Sequence, residues 1–434
     1  MIDIKLVRDD LEKVKNGLAK KGVKPTDVEH VFDLDKKYRD ILRALEGDKA
    51  EQNRISESIS STKDNDERNK MINNVQTLKA EVKEYERKLE GVEPELKKAL
   101  NALPNIPFDD VLVGASDADN KVLKVEGEIP KFDFPVRDHM EIGESLDLID
   151  TKQASLVSGA RFFYLKNEAV LLEFALVQFA LEFLTQNGFT PVVPPVMIKP
   201  EMYMRMGRLL GGQEEERYNL PNDDMFLVGS AEHTIGPLHA DHIFTEKDLP
   251  KRYVGFSTCF RREAGSYGKD TKGILRTHQF DKVEMFAFAK PEDSEDEHKF
   301  LLSMQENMMS QLKLPYQVVG VCAGDMGFTD ARQFDIETWM PSQGKYRATQ
   351  SCSNTTDFQA RGINARYKNK ETGKNEFVHM LNATGFAIGR MLIAILENNQ
   401  KKDGSVMVPQ VLQKYLGKDL KKYFIFRNGN HERS

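Results

Sequence analysis

Apolar residues in the first hundred positions recur at alternating spacings of three and four. Val31, Leu34, Tyr38, Ile41 and Leu45 begin the pattern, and Ile55 and Ile59 resume it after the polar Asp48 and Gln52. Residues 60 to 69 are almost wholly polar, and the stripe then returns at Val75, Leu78, Val82, Tyr85, Leu89, Val92 and Leu96. A single apolar stripe on each of two long segments, separated by a polar tip, predicts an antiparallel coiled-coil hairpin over about residues 28–101. A segment of about 33 residues rising ~1.5 Å per residue spans roughly 50 Å. A helical start over residues 2–22 precedes it, stopped by Gly22 and the Pro25-Thr26-Asp27 turn. Such a hairpin suits a spacer, a dimerisation device or a nucleic-acid arm. Near its tip Arg54, Lys63, Arg68 and Lys70 are candidates for phosphate contacts.

The pattern changes at Leu103-Pro104-Asn105-Ile106-Pro107, because neither proline can continue a helix. We expect an N-terminal domain over residues 1–107 and a second domain over 108–434. In the second, Glu168 to Gln186 reads as an amphipathic helix, and Glu292 to Lys313 as a Met-rich one. Tyr253 to Phe260 and Phe280 to Phe288 are apolar, β-rich runs around a glycine-bearing loop, which predicts two antiparallel strands. Leu314 to Trp339 alternates strand and glycine turn and extends the same sheet.

Composition narrows the function. Lys+Arg 62 against Asp+Glu 68 leaves a net charge of −6, so any polyanion site must be local. The three cysteines, Cys259, Cys322 and Cys352, are far apart, which fits a reducing compartment and no structural zinc. The start Met1-Ile2-Asp3-Ile4-Lys5 lacks the regions of a signal peptide. The longest apolar stretch, Ala169 to Leu184, is broken by Glu173, Gln178 and Glu182, and so reads as a core helix. These features predict a cytoplasmic protein with no membrane partner. No Gly-x-Gly-x-x-Gly follows a strand, and no Walker-type loop is present.

Candidate chemistry concentrates between the two strands. Arg261 lies at the mouth of the hairpin, whose loop carries Lys269, Lys272 and Arg276. An arginine there can fork onto a phosphate, and Glu263 and Glu284 can fix an amine or an adenine edge. Charge alone favours a solvated basic hairpin. The wording "FRREAGSYGKDTKGILRTHQFDKVEMF" closely resembles the second signature motif of class II aminoacyl-tRNA synthetases in its seryl form. Gly188 to Pro195 resembles the first motif, which the family uses at its dimer interface. Ser230-Ala231-Glu232 resembles the family's Thr-x-Glu serine-binding loop; on an extended loop, side chains at i and i+2 face the same way. Tyr346 to Ala360 resembles the strand that brings magnesium ligands to ATP. Asn382 to Arg390, leading into a helix, resembles the third motif.

The resemblance runs from the arm to about Pro409. It implies an α+β fold, with an N-terminal antiparallel coiled-coil arm followed by a class II synthetase domain built on an antiparallel sheet with flanking helices. It implies ATP-dependent attachment of serine to tRNA(Ser) through a seryl-adenylate, with Mg2+, in a homodimer. Arg261 and Arg390 are then the expected catalytic residues. Ser230, Glu232, Arg261, Glu284, Asn382 and Thr384 would bind serine. Arg261, Arg262, Glu263, Arg276, Phe280, Ser351 and Arg390 would bind ATP, with Ser351 also a metal ligand. Arg54, Lys63, Arg68, Lys269 and Lys272 would meet tRNA. Three positions depart from the family pattern: Ser230 stands for Thr, Gly362 follows Arg361 where a second Arg is usual, and Ala348 replaces a Glu that binds magnesium. The alternative is a catalytically weakened paralogue that binds tRNA or another partner as a regulator.

Overall fold

The structure, a computed structural model, describes residues 1–264, 272–416 and 423–424. Lys269 lies outside the described residues. The chain divides into two units, Met1–Ile106 and Pro107–Ser434.

The first unit is helical. The start over residues 2–22 forms two helices, α1 (Ile4–Asp9) and α2 (Leu11–Ala19). They break at Asp10, whose backbone is non-helical and whose side chain caps α2 at the Lys13 amide. The hairpin follows as α3 (Pro25–Ser61) and α4 (Asn65–Asn101), joined by residues 62–64. Pro25 needs no amide partner at the first turn of α3. Asp64 accepts from the amides of Asp66 and Glu67 and so starts α4. Val28, Val31, Leu34, Leu45 and Ile55 are buried on α3 and Val75, Leu78, Val82 and Val92 on α4, with Ile55, Val75 and Leu78 in one cluster, whereas Tyr85, Leu89 and Leu96 are half-buried. The buried Asp35 accepts from Arg8 at 2.6 and 2.8 Å and from Arg39 at 2.8 Å, tying α1 to α3. Arg54, Lys63, Arg68 and Lys70 are exposed, and Arg54 pairs with Glu51.

The second unit is built on an eight-stranded sheet. Its strands are β1 (Lys121–Glu126), β2 (Thr190–Val192), β3 (Lys251–Phe260), β4 (Gln279–Ala289), β5 (Tyr316–Gly320), β6 (Arg332–Met340), β7 (Lys345–Asn354) and β8 (His379–Ala387). The order is β1-β5-β6-β7-β8-β4-β3-β2, antiparallel throughout except where β2 runs parallel to β3. Helices α5 (Glu168–Gln186), α6 (Ser294–Leu312) and α7 (Ile388–Asn398) supply the main core. Period-two alternation decides what each face carries. On β4, Val283, Met285, Ala287 and Ala289 join the helices in that core. Phe286 and Phe288 enter a second core on the opposite face, with Tyr253, Phe244 and Met380. Phe280, Lys282 and Glu284 continue that second face toward the open end of the hairpin.

Gly362 has a steric cause. A Cβ there would lie 1.8 Å from the Arg205 carbonyl oxygen, and Arg205 in turn donates through Nε to the Gly362 carbonyl at 2.9 Å. The second arginine usual in the family has no room in this packing. We predict that Gly362→Ala lowers stability by about 1–3 kcal/mol, because backbone rather than a flexible side chain must move. Denaturant unfolding of the two proteins checks this, and equal midpoints would contradict it.

Candidate active site

The hairpin mouth opens onto a cavity of about 240 Å³ whose lining includes Arg261, Glu263, Arg276, Phe280, Ser351 and Arg390. A neighbouring cavity of about 400 Å³ shares Arg261, Glu263, Arg276 and Arg390, and adds Arg208, Arg217, Glu232 and His233. Arg261 directly follows the last residue of β3. Its amide donates to the His278 carbonyl at 3.0 Å, which keeps the two chains paired beyond the ladder. Its Nε donates to the Gly229 carbonyl at 3.1 Å, and the guanidinium lies 5.3 Å from the centre of the Phe280 ring.

Glu263 has a left-handed backbone, with φ of 52°. Its carboxylate accepts from Arg276 Nη1 at 2.9 Å, and its carbonyl accepts from Arg161 at 3.2 Å. The return of the loop is anchored by Gly273, at φ 81°, where a Cβ would come within 2.0 Å of His139 Nε2. The Ile274 amide donates to that nitrogen, so His139 carries its proton on Nδ1 and donates it to Glu397 at 3.1 Å. Lys272 is held by Asp138.

Arg390 lies in the first turn of α7, directly after β8. Its Nη1 donates to the Ala348 carbonyl at 2.5 Å and its Nε to the Leu275 carbonyl at 3.3 Å. Burial, and then the positive charge of Arg261 and Arg276, lower its pKa to about 10, so it remains a cation at neutral pH. Arg261, Arg276 and Arg390 therefore converge on one cavity, as anion chemistry requires.

Ser230 and Glu232 do not sit on an extended loop. Ala231 is helical, and Glu232 opens the short helix Glu232–Ile235, so the i, i+2 argument fails locally. Glu232 is buried, 2.5 Å from Arg208 Nη2 and 3.2 Å from His233 Nε2. The Gly229 amide donates to His233 Nδ1, so the ring proton is on Nε2 and points at Glu232. Burial disfavours the charge on Glu232, yet Arg208 and His233 outweigh it and hold the carboxyl below its usual range. Burial also pushes His233 down to about 3, keeping it neutral. Glu284 is buried opposite Thr384, with Oε2 2.6 Å from Lys282 Nζ, which also donates to Ser230 Oγ at 3.2 Å. Burial, opposed by Lys282 and reinforced by Glu232, pushes Glu284 up to about 7.

Thr384 and Ser351 approach through their hydroxyls at 3.4 Å. Asn382 is buried on β8, two residues from Thr384, and like the buried Ser230 and Glu284 it is not among the residues lining either cavity. Arg262 is exposed and outside both cavities, its amide bonded to the Glu216 carbonyl. Lys282, Arg208, Arg217, His233 and Asp335 were not anticipated from sequence. Strand alternation flags Lys282, midway between Phe280 and Glu284. Arg208, Arg217 and Asp335 come from separate segments, His233 directly follows Glu232, and none of the four carries a local signal.

Ala348 and Ser351 share a face of β7 because of a bulge. Ile336 and Glu337 on β6 oppose the span from Ala348 to Gln350, which returns Ala348 to the side of Ser351. Asp335 lies opposite Ser351 and lines the same cavity. Burial, opposed by Gln333 and reinforced by Glu337, pushes Asp335 up to about 7.

An antiparallel sheet with an arginine at a hairpin mouth and another opening a helix is the core of a class II aminoacyl-tRNA synthetase. Residues 216–399 match the family described as tRNA synthetase class II core domain (G, H, P, S and T), and residues 1–107 match the seryl-tRNA synthetase N-terminal domain. The serine–tRNA ligase of Thermobifida fusca is 43% identical over 97% of this chain and 98% of its own. That of Dictyoglomus turgidum is 41% identical over 96% and 98%. The seryl-tRNA synthetase of Pyrococcus horikoshii, solved with ATP, superposes with a TM-score of 0.93 at 37% identity, covering 98% of this chain and 99% of that one. The cytoplasmic enzyme of Naegleria fowleri, solved with AMP, gives 0.88 at 30% identity, with 99% of each chain covered. The chain belongs to the seryl-tRNA synthetase family.

Glu284 generates a pH prediction. Its folded pKa lies above the ordinary 4.5, so its contribution to stability is full below pH 4.5 and lost as pH rises to about 7. The loss approaches about 1.4 kcal/mol per pH unit for one proton. Denaturant unfolding across that window should show a flatter pH dependence in Glu284→Gln than in the unchanged protein. Parallel curves would mean Glu284 is already ionised when folded.

Proposed function

We propose that this protein activates serine with ATP and transfers the seryl group to tRNA(Ser). The observation that carries the reading is the convergence of Arg261, Arg276 and Arg390 on one cavity, which Lys282, bonded to the buried Glu284, also lines, next to a second that the buried Glu232 lines. Activation is an in-line attack of the serine carboxylate on the α-phosphorus, forming the acyl phosphate bond and releasing pyrophosphate. Such a step depends on positioning and on neutralising charge. Arg261 would neutralise the α-phosphate, and Arg390 the γ-phosphate. Phe280 would stack on adenine, with Glu263 at its edge. Ser230, Glu232, Glu284, Asn382 and Thr384 would read the amine and hydroxyl of serine. A site built to hydrogen-bond a hydroxyl rejects an analogue lacking it by about 10⁴ to 10⁵. A purely binding role for the chain is not favoured by a cavity that keeps its arginines.

Magnesium would be held by Ser351 and Asp335, whose oxygens lie on facing strands, while residue 348 offers a methyl group. Among the described residues no group of three or more His, Cys, Asp or Glu is placed to hold a metal. The ion would therefore depend on phosphate oxygens and water, as Mg2+ commonly does. It would supply charge neutralisation on the triphosphate. The arm would carry tRNA through Arg54, Lys63 and Arg68. Pairing of two copies through α5 is supported by exposed Leu171 and Phe174 on that helix and Val193 just after β2. No helix among the described residues is long and apolar enough to cross a membrane.

ATP–pyrophosphate exchange with serine tests the reading directly. Arg261→Ala should lower the exchange rate by about 10² to 10³. Deleting residues 28–101 should leave exchange near intact and abolish transfer to tRNA; no serine-dependent exchange by the unchanged protein would refute the proposal.

The same assay addresses Ala348. Ala348→Glu adds a carboxylate on the face of Ser351 and should raise the exchange rate while lowering the magnesium needed for half-maximal activity. A variant no faster at any magnesium concentration would remove residue 348 from the metal's surroundings.

A further inference from the structure

Arg217 directly follows the helical turn Gln213–Glu216 and is 8% exposed, yet it has no carboxylate partner among the described residues. Its Nη2 reaches Gln213 Oε1 at 3.5 Å, a marginal bond, and its guanidinium lies 5.6 Å from the centre of the Tyr203 ring. Its Nε is buried without a hydrogen-bond partner among the described residues. A guanidinium carries five N–H donors, so most of this one's capacity is unused. Burying a charge in that condition is unfavourable unless an anion arrives. Burial accordingly lowers its pKa, with Arg261 and Arg208 adding to the effect against Tyr203 and Glu232.

The direction in which Arg217 points identifies the anion. It lines the cavity that also holds Glu232 and Arg261, and its Nη1 would lie 2.9 Å from a Cβ built on Gly229. Arg261 donates to the carbonyl of that same glycine at 3.1 Å. Two guanidiniums therefore flank the residue immediately before Ser230, which opens the proposed amine-holding segment. In an α-amino acid the carboxylate is attached to the carbon that bears the ammonium, so a cation beside an amine site meets the carboxylate. We infer that Arg217 binds the carboxylate of the amino-acid substrate and, with Arg261, presents it to the α-phosphorus. The inference rests on the proposed serine site. It divides the work so that Arg261 is not required to hold both phosphate and carboxylate alone.

Binding measurements separate this role from others. Calorimetry would follow L-serine and L-serinamide, in which a neutral amide replaces the carboxylate, with α,β-methylene ATP saturating, and would follow that nucleotide separately. Arg217→Gln should weaken serine by about 30-fold, as loss of a charge-assisted contact does, and leave serinamide and the nucleotide within about threefold. Arg217→Lys, which keeps the charge but not the fork, should recover part of the loss. Equal weakening of serine and serinamide would make Arg217 a structural residue and overturn the inference. Selective weakening of the nucleotide would make it a phosphate ligand and also overturn it. If Arg217→Gln does not fold, the Lys variant decides through the serine-to-serinamide ratio, which must fall. Failure of the unchanged protein to bind serine would instead refute the serine reading itself.

Discussion

The alternation along β4 is the constraint on which the rest depends. The strand is covered by helices on one face and by a second core and the site on the other, so its register is fixed from both sides. A slip of one residue would bury Lys282 and Glu284 among Met285's neighbours and expose Val283. The same alternation carries Phe280, Lys282 and Glu284 along one side at intervals of about 7 Å. β3 and β8 then complete the site because each pairs with β4, delivering Arg261 on one side and Thr384 and Arg390 on the other.

Charge is the second organising feature. Glu232 is neutralised by Arg208, Glu284 by Lys282 and Glu263 by Arg276, whereas Arg261 and Arg217 touch no carboxylate among the described residues. Internal pairs of this kind hold carboxylates in place inside a low-dielectric pocket. Unpaired guanidiniums leave positive potential for incoming anions. His233 contributes no charge; its single ring proton orients Glu232, and its other nitrogen takes the Gly229 amide. The left-handed backbone of Glu263 fits the same picture, as strain of that kind persists where surrounding contacts over-determine it.

The departures from the family pattern have different physical characters. Gly362 is dictated by packing, since the Arg205 carbonyl occupies the space a side chain would need. Ser230 keeps a hydroxyl, and the structure gives it the Lys282 ammonium as a donor. Ala348 keeps its backbone role, accepting from Arg390, while contributing no ligand oxygen. Direct pairing across β6 and β7 nevertheless puts Asp335 on the face of Ser351, so a carboxyl oxygen remains at that end of the cavity.

The arm was legible from sequence because its fold is local: a stripe at three-and-four spacing needs only itself and its partner helix to be buried. Strands β3 and β4, helix α5 and the arginines that end or begin elements were legible for the same reason, since period and punctuation are carried by neighbouring residues. The split at Asp10 was not, because a single non-helical residue leaves the apolar spacing intact. Nor was the helical turn at Ala231, where tertiary packing overrode a loop reading. Arg208, Arg217 and Asp335 are separated from Glu284 by long stretches of chain, and each reads alone as an ordinary surface charge. Whether such a residue is buried, paired or left with open donors depends on which segments the sheet order brings together, and that order is set by long-range pairing that no local pattern encodes.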